Sequence, residues 1–278
     1  MEKNKLKLVI FSDIHYLDEK HKEEYNRKLT NLSIPLIEKL IEEINNKIKP
    51  DICICLGDFI EDTNNHEQDV ENIRFIWSRM KNIKVPFYAV AGNHDLKTMN
   101  SREEVENIMG YIHSTFSINI KNYHLVFLGL DVKKHLSTKS GGISKTQYIS
   151  NEDIEWLKED LRENNLPCLI FNHFGIAEDD MDGNWWFENY PEYALLKNRK
   201  KLKNILNKDK NIIGVFSGHQ HWTKKLIEND IKYYIVGSIT ENINNDGIPD
   251  GVYFEVDLLE NEIDVVEKHI KLNRRENE

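Results

Sequence analysis

Five short stretches of the 278-residue chain each end an apolar run in residues able to hold a cation: Phe11 to His15 (FSDIH), Cys55 to Asp58 (CLGD), Val85 to Asp95 (VPFYAVAGNHD), Phe171 to His173 (FNH) and Phe216 to His221 (FSGHQH). The third is the most telling. Its strand-like run stops at Gly92 and then delivers an amide, an imidazole and a carboxylate in Asn93, His94 and Asp95. Glycine accepts backbone angles that other residues resist, so the chain can turn sharply there and bring Asn93 and His94 to the lip of a sheet. Together the stretches offer Asp13, His15, Asp58, Asn93, His94, His173, His219 and His221. Carboxylate, amide and imidazole donors in mixture suit borderline metals such as manganese, iron or zinc better than calcium. Such a set exceeds what one ion can use, so two divalent ions are expected. Taken singly, each residue reads as a satisfied polar group at a strand end. Taken together, a buried rim of histidines without a cation would leave many polar groups short of partners.

Positioning these groups needs strands whose carboxyl ends meet. KLKLVIFSD reads as a first strand ending at Asp13, with a loop from Tyr16 to about His21. A helix follows from Ser33, a good cap, with Pro35 at an early position and apolar residues at helical spacing through LIEKLIEEINNKI. DICICLGD is a second, fully apolar strand, an amphipathic helix runs from about Val70 to Met80, and the third strand leads to Gly92. Strands and helices in alternation imply right-handed crossovers and a largely parallel, buried sheet. Strands of such a sheet present their carboxyl ends on one rim.

Further along, Ser101 and Glu104 form a capping box for a short helix over Glu103 to Met109, and Thr115 to Leu130 reads as a hairpin turning at Lys121 and Asn122. Lys133 to Thr146 is expected to be a surface loop. Ser150 and Asp153 start a helix ending near Glu163, and Pro167 to Asn172 is a buried strand. The stretch 175–193 has no regular period; acidic and aromatic, with Trp185 and Trp186, it is the candidate lid over a site and the candidate substrate-binding surface. A helix over Asn198 to Leu206 precedes the strand IIGVFSG. Strands near 223–228, 231–237, 252–257 and 262–269 are expected to close a second sheet in antiparallel fashion, and 272–278 to fray.

Composition narrows the function. Hydrophobic residues at 40% and charged residues at 30% belong to a globular chain, and the length suits one α/β domain over 1–271. No apolar run approaches membrane-spanning length and LVIF is too short for a signal-peptide core, so a membrane partner is not expected and the cytoplasm is the expected location. Cys53, Cys55 and Cys168 lie inside expected strands, where they pack as small hydrophobes. A net charge of -10 repels a long phosphate backbone, so long nucleic acid is a poor partner. It leaves room for a small phosphate ester held by bound cations, which would reverse the sign of the site.

The five blocks, in order D-x-H, G-D, G-N-H-D, H and G-H-x-H from Asp13 to His221, resemble the calcineurin-like metallophosphoesterase superfamily. Each block is weak alone; the ordered set is specific and covers most of the chain. The region around Trp185 and the stretch LKNRKKLKNIL are similar to bacterial members related to cyclic-nucleotide phosphodiesterases. The resemblance implies a four-layer α/β/β/α sandwich of two mixed sheets flanked by helices, with a dinuclear metal site at the strand rim. It implies that Asp13, His15, Asp58 and His221 hold one ion while Asp58, Asn93, His173 and His219 hold the other, with Asp58 bridging. It further implies in-line attack by a metal-bridging hydroxide on a small phosphodiester, cyclic or linear nucleotides included, with His94 serving the leaving oxygen. Relatives often orient this histidine with an acid three residues after the G-D aspartate, which here is Glu61, with Asp62 beside it. The alternatives are a phosphomonoesterase or protein phosphatase, and a noncatalytic scaffold; scaffolds of this type typically lose ligand histidines, and this chain keeps the set.

Overall fold

Alternation along the central strands builds the layers. In β1 (Leu6–Phe11) and β2 (Ile52–Cys55), Leu6, Leu8, Ile10, Ile52 and Ile54 point to one side, while Val9, Phe11, Cys53 and Cys55 point to the other. Both faces are buried, which is why β2 is apolar throughout. The computed structural model describes residues 5–18, 27–110, 115–131, 147–260 and 262–272; the expected loop over 133–146 and the tail 273–278 lie outside them.

Two mixed sheets stack face to face. The first has the order β11-β10-β1-β2-β3, with β3 at Phe87–Ala89, β10 at Val252–Leu259 and β11 at Glu262–His269. Strands β1, β2 and β3 are parallel, and β10 runs antiparallel to β1. The second sheet has the order β4-β5-β6-β7-β9-β8 (Phe116–Ile120, Tyr123–Phe127, Cys168–Phe171, Ile212–Ser217, Ile231–Ile235 and Lys224–Glu228). Its inner strands β5, β6, β7 and β9 are parallel, and β4 and β8 are antiparallel edges. Between the sheets, Leu8, Ile10 and Ile54 meet Leu125, Leu169 and a ladder of rings running across the second sheet. Successive centroids from Phe116 to Phe127, Phe171, Phe216 and Tyr234 are 4.6, 5.0, 5.6 and 4.9 Å apart.

The helices cover the outer faces and complete the four layers. Helices α1 (Ser33–Glu43) and α2 (His66–Met80) pack through Leu36, Ile37, Leu40, Ile73, Ile76 and Trp77. After the short α3 (Asn93–Leu96) and α4 (Arg102–Met109), helices α5 (Asn151–Glu163) and α6 (Arg199–Leu206) cover the second sheet, α5 through Ile154, Leu157 and Leu161 and α6 through Leu202 and Leu206. Helix α2 begins four residues before the expected Val70, because Asn65 accepts a hydrogen bond from the Gln68 backbone N–H at 3.2 Å and holds an otherwise polar first turn.

One expectation about the later strands is corrected. Only β8 and β9 join the second sheet; β10 and β11 extend the first, and β9 lies parallel to β7. Val252, Phe254, Val256 and Leu258 bury themselves between the sheets beside β1, which fixes where that hairpin must go. The three cysteines are free and buried. Among the described residues no helix is long and apolar enough to cross a membrane.

Candidate metal centre

Every cation-type residue singled out in the sequence follows the carboxyl end of a strand. Asp13 and His15 follow β1, Asp58 follows β2, Asn93 and His94 form α3 after β3, His173 follows β6, and His219 and His221 follow β7. Both sheets therefore contribute, and the site lies along their common rim. Five of these residues hold left-handed backbone angles: Asp13 (φ 56°), His15 (49°), Asp58 (53°), His219 (65°) and His221 (59°). A side-chain-bearing residue is strained there and stays only where its surroundings overdetermine it.

The surroundings do so with hydrogen bonds between loops. The backbone N–H groups of Ile14 and His15 donate to the Asp58 carbonyl at 2.8 and 3.1 Å. Asp95 ties two loops together, accepting from Phe59 N and Gly92 N, each at 2.8 Å, and from Ile60 N at 3.2 Å. Asp13 Oδ2 accepts from His219 N at 2.9 Å and so joins the first sheet's rim to the second's. Glycine is required at two close approaches: a Cβ on Gly92 would overlap the Asp58 carboxylate, and one on Gly218 would overlap the Ser12 hydroxyl.

Among the described residues the donors gather in three groups, one of them His15, Glu61 and His94, and the other two share Asp58. Asp13, His15, Asp58 and His221 bring ligand atoms within 4.8 Å of one another, and so do Asp58, His173 and His219. Asn93 stands beside the second group, its Oδ1 3.1 Å from His173 Nε2. Two observations show that these residues fit cations. His15 and His221 turn their Nε2 atoms on each other at 2.9 Å. Asp13 Oδ1 and Asp58 Oδ2 are buried carboxylate oxygens with no hydrogen-bond donor, facing His221 Nε2 at 3.4 Å and His173 Nε2 at 3.3 Å respectively. Donor atoms converging from both sides of a buried space suit a positive ion once the rings release their protons, and orphaned carboxylate oxygens are otherwise costly.

The far nitrogen of each ring is held by a separate partner, which fixes which atom faces the centre. His15 Nδ1 is 2.8 Å from Glu61 Oε2, His221 Nδ1 is 2.8 Å from Glu241 Oε2, His173 Nδ1 is 2.7 Å from the Leu56 carbonyl, and His219 Nε2 is 3.0 Å from the Tyr193 carbonyl. The electrostatics follow. Burial works against charge on His173 and His221, but Asp58 overrides it at the first and Asp13 with Glu241 at the second, pushing each ring up to about 9. Burial keeps His15 below the usual histidine range, helped by the Lys28 charge, and keeps His219 well below it, helped by His173. Burial raises Asp95 to about 7, with the neighbouring Asp58 charge adding to it.

His94 stands at the edge of the donor groups, its ring 4.9 Å from that of His15. Its backbone N–H donates to Asp58 Oδ1 at 2.9 Å. The acid that grips its ring is Asp62, with Oδ2 2.6 Å from Nδ1, whereas the nearer Glu61 oxygen is 3.7 Å away. Glu61, expected to orient His94, instead faces His15 Nδ1 at 2.8 Å and accepts from the Lys28 ammonium at 2.7 Å. The turn after Asp58 places Glu61 inward toward the donors and Asp62 outward toward α3. Burial opposes charge on His94, and the carboxylates led by Glu61 raise it above the ordinary range.

The two tryptophans differ. Trp186 braces the centre: its indole N–H donates to Glu241 at 3.2 Å and its ring lies 5.6 Å from that of His221. Trp185 is 62% exposed, with the Arg27 guanidinium 5.1 Å from its ring. Glu241, Asp62 and Lys28 carry functional geometry that the motifs do not mark. Asp62 had a signal in its place beside Glu61, while Glu241 and Lys28 lie in coil with none.

A rim of mixed donors on two stacked sheets, divided into two groups about a common carboxylate, defines a metal-dependent hydrolase scaffold. The chain belongs to the calcineurin-like phosphoesterase family, whose profile matches residues 6–223. The family is dinuclear-metal-dependent, in keeping with the paired donor groups. The chain is 27% identical to a probable glycerophosphodiester phosphodiesterase of Arcobacter nitrofigilis over 232 residues, covering 81% of this chain and 75% of the relative. It is also 27% identical to a probable cyclic nucleotide phosphodiesterase of Xenorhabdus bovienii over 221 residues, 78% of each. Among solved structures, a dimetal phosphatase from Danio rerio superposes with a TM-score of 0.71 at 13% identity, over 94% of this chain and 98% of that one, and shows the same fold.

Proposed function

We propose that this chain hydrolyses a small phosphodiester, with cyclic or linear nucleotides the favoured class and manganese the favoured metal. The observation that carries the reading is the sharing of Asp58 between the two donor groups, with His94 hydrogen-bonded to the same carboxylate. When bound, two divalent cations supply a nucleophile at neutral pH and offset the charge that builds on phosphorus. Asp13, His15, Asp58 and His221 would hold one, and Asp58, Asn93, His173 and His219 the other.

The remaining work falls to side chains. His94, whose protonated form its carboxylate neighbours favour, gives a proton from Nε2 to the departing oxygen, while Asp62 on Nδ1 holds the ring in place. In this reading 175–193 is a lid within one domain over 1–271. Tyr193 and Trp186 of that lid brace His219 and, through Glu241, His221. Trp185 is the exposed face on which a base stacks. The phosphodiesterase names of the two relatives favour a diester over a monoester. The test compares bis-p-nitrophenyl phosphate, p-nitrophenyl phosphate and cyclic nucleotides on the purified chain. Chelation abolishes diester hydrolysis and manganese restores it; full activity in excess chelator, or turnover of the monoester alone, overturns the reading.

A further inference from the structure

Lys28 is a buried lysine, only 7% exposed, in coil that no motif marks. Its backbone is held in place: Lys28 forms a strand-like bridge with Glu241, and Leu29 N–H donates to the Thr240 carbonyl at 2.9 Å. Its ammonium donates to Glu61 Oε2 at 2.7 Å, lies 5.1 Å from the centre of the Trp186 ring, and stands 3.5 Å from His94 Nε2. An ammonium carries three protons. One serves the carboxylate, the indole face stabilises the charge, and the side toward His94 looks onto the atom that donates to the leaving oxygen. The ammonium and His94 Nε2, 3.5 Å apart, form two sides of a cradle for an oxyanion.

We propose that Lys28 is a substrate-contacting residue that pairs with His94 around the leaving ester oxygen. The proposal rests on the phosphoesterase reading. In the step concerned, a hydroxide oxygen whose other proton has already gone to solvent bonds to phosphorus, the ester P–O bond breaks, and its electron pair passes to the leaving oxygen. That oxygen takes a proton from His94 Nε2. Lys28 keeps its protons throughout and donates a hydrogen bond to the same oxygen, offsetting charge before the proton arrives. A lysine that only neutralised Glu61 would instead act through His15 and the metal content.

The experiment uses the manganese-loaded full chain carrying Lys28→Gln, with inorganic phosphate as the binding probe and two diesters that differ in leaving group. Phosphate affinity falls about tenfold, as for a lost hydrogen bond to a charged group. The kcat/KM for diphenyl phosphate, the poorer leaving group, falls about tenfold or more, and that for bis-p-nitrophenyl phosphate less than about threefold. Manganese content stays at the parent value, and Lys28→Arg keeps phosphate affinity within about threefold. Should the Gln variant fail to fold, Lys28→Met keeps the aliphatic stem over Trp186. Unchanged phosphate affinity, equal losses on both esters, or a loss of manganese that accounts for the rate overturns the proposal. If the parent hydrolyses neither diester, the phosphoesterase reading has failed by itself, and phosphate titration still decides whether Lys28 touches the anion.

Discussion

Replacing Asp58 with Asn removes a charge and almost no volume, and its effect can be counted in protons. Asp58 Oδ1 accepts from His94 N, a bond that an asparagine oxygen can keep, while Oδ2 faces His173 Nε2 at 3.3 Å. His173 and His221 each sit at about 9. At pH 8 a group at that value is about 90% protonated, and a ring must lose its proton to take a cation. The two rings therefore release roughly one to two protons when metal-free protein takes up manganese at this pH. In Asp58→Asn, burial of His173 is opposed only by Asp13 and the Leu56 carbonyl, so the ring's affinity for its proton falls and it has less proton to release. His221, held up by Asp13 and Glu241, is unaffected. Calorimetric titration of saturating manganese in buffers of differing ionisation enthalpy reads the count directly. The variant should release fewer protons than the parent. Equal release from both proteins would refute the assignment of Asp58 as the group that charges His173. The sign also sets the parent's pH dependence: manganese affinity rises from pH 7 to pH 9 as these protons leave.

Three further outcomes follow from the geometry. Asp62→Asn removes a carboxylate that raises His94, so the basic limb of the pH–rate profile moves to lower pH and kcat on a poor leaving group falls about tenfold or more at unchanged manganese content; a limb that stays put contradicts the pairing. Gly92→Ala forces a methyl group against the Asp58 carboxylate and should cost about 1–3 kcal/mol in urea unfolding together with metal occupancy, where an unchanged midpoint would show that the loop relaxes freely. Trp185→Ala should weaken nucleotide binding by about 1–3 kcal/mol, read as a higher KM, while bis-p-nitrophenyl phosphate is turned over as before; an unaffected nucleotide KM removes the stacking role.

Much of this arrangement is legible because each motif closes an apolar strand. FSDIH, CLGD and GNHD place donors at strand ends by local grammar alone, and parallel strands bring those ends together. Which sheet takes a late strand is a different matter. The alternation in VYFEVDLL says that one face of β10 is buried, and nothing in it says that the partner is β1, more than 240 positions away, rather than β9. The same holds for the groups that tune the rings. Glu241 reaches His221 because the coil between β9 and β10 passes the end of β1, where Ile239 N–H donates to the Ser12 carbonyl, and Lys28 reaches Glu61 because its coil bridges to Glu241; neither has a neighbour in sequence that reports the contact. The inward aim of Glu61 and outward aim of Asp62 depend on a turn that begins with the left-handed Asp58, so Asp62 grips the His94 ring in place of the Glu61 that the resemblance implied.

Crystals soaked in manganese and measured at its absorption edge would test the account most directly. It predicts two anomalous peaks in each chain on either side of the Asp58 carboxylate, one among Asp13, His15 and His221 and the other among Asn93, His173 and His219. A single peak, or manganese bound by residues that leave Asp58 out, would contradict it.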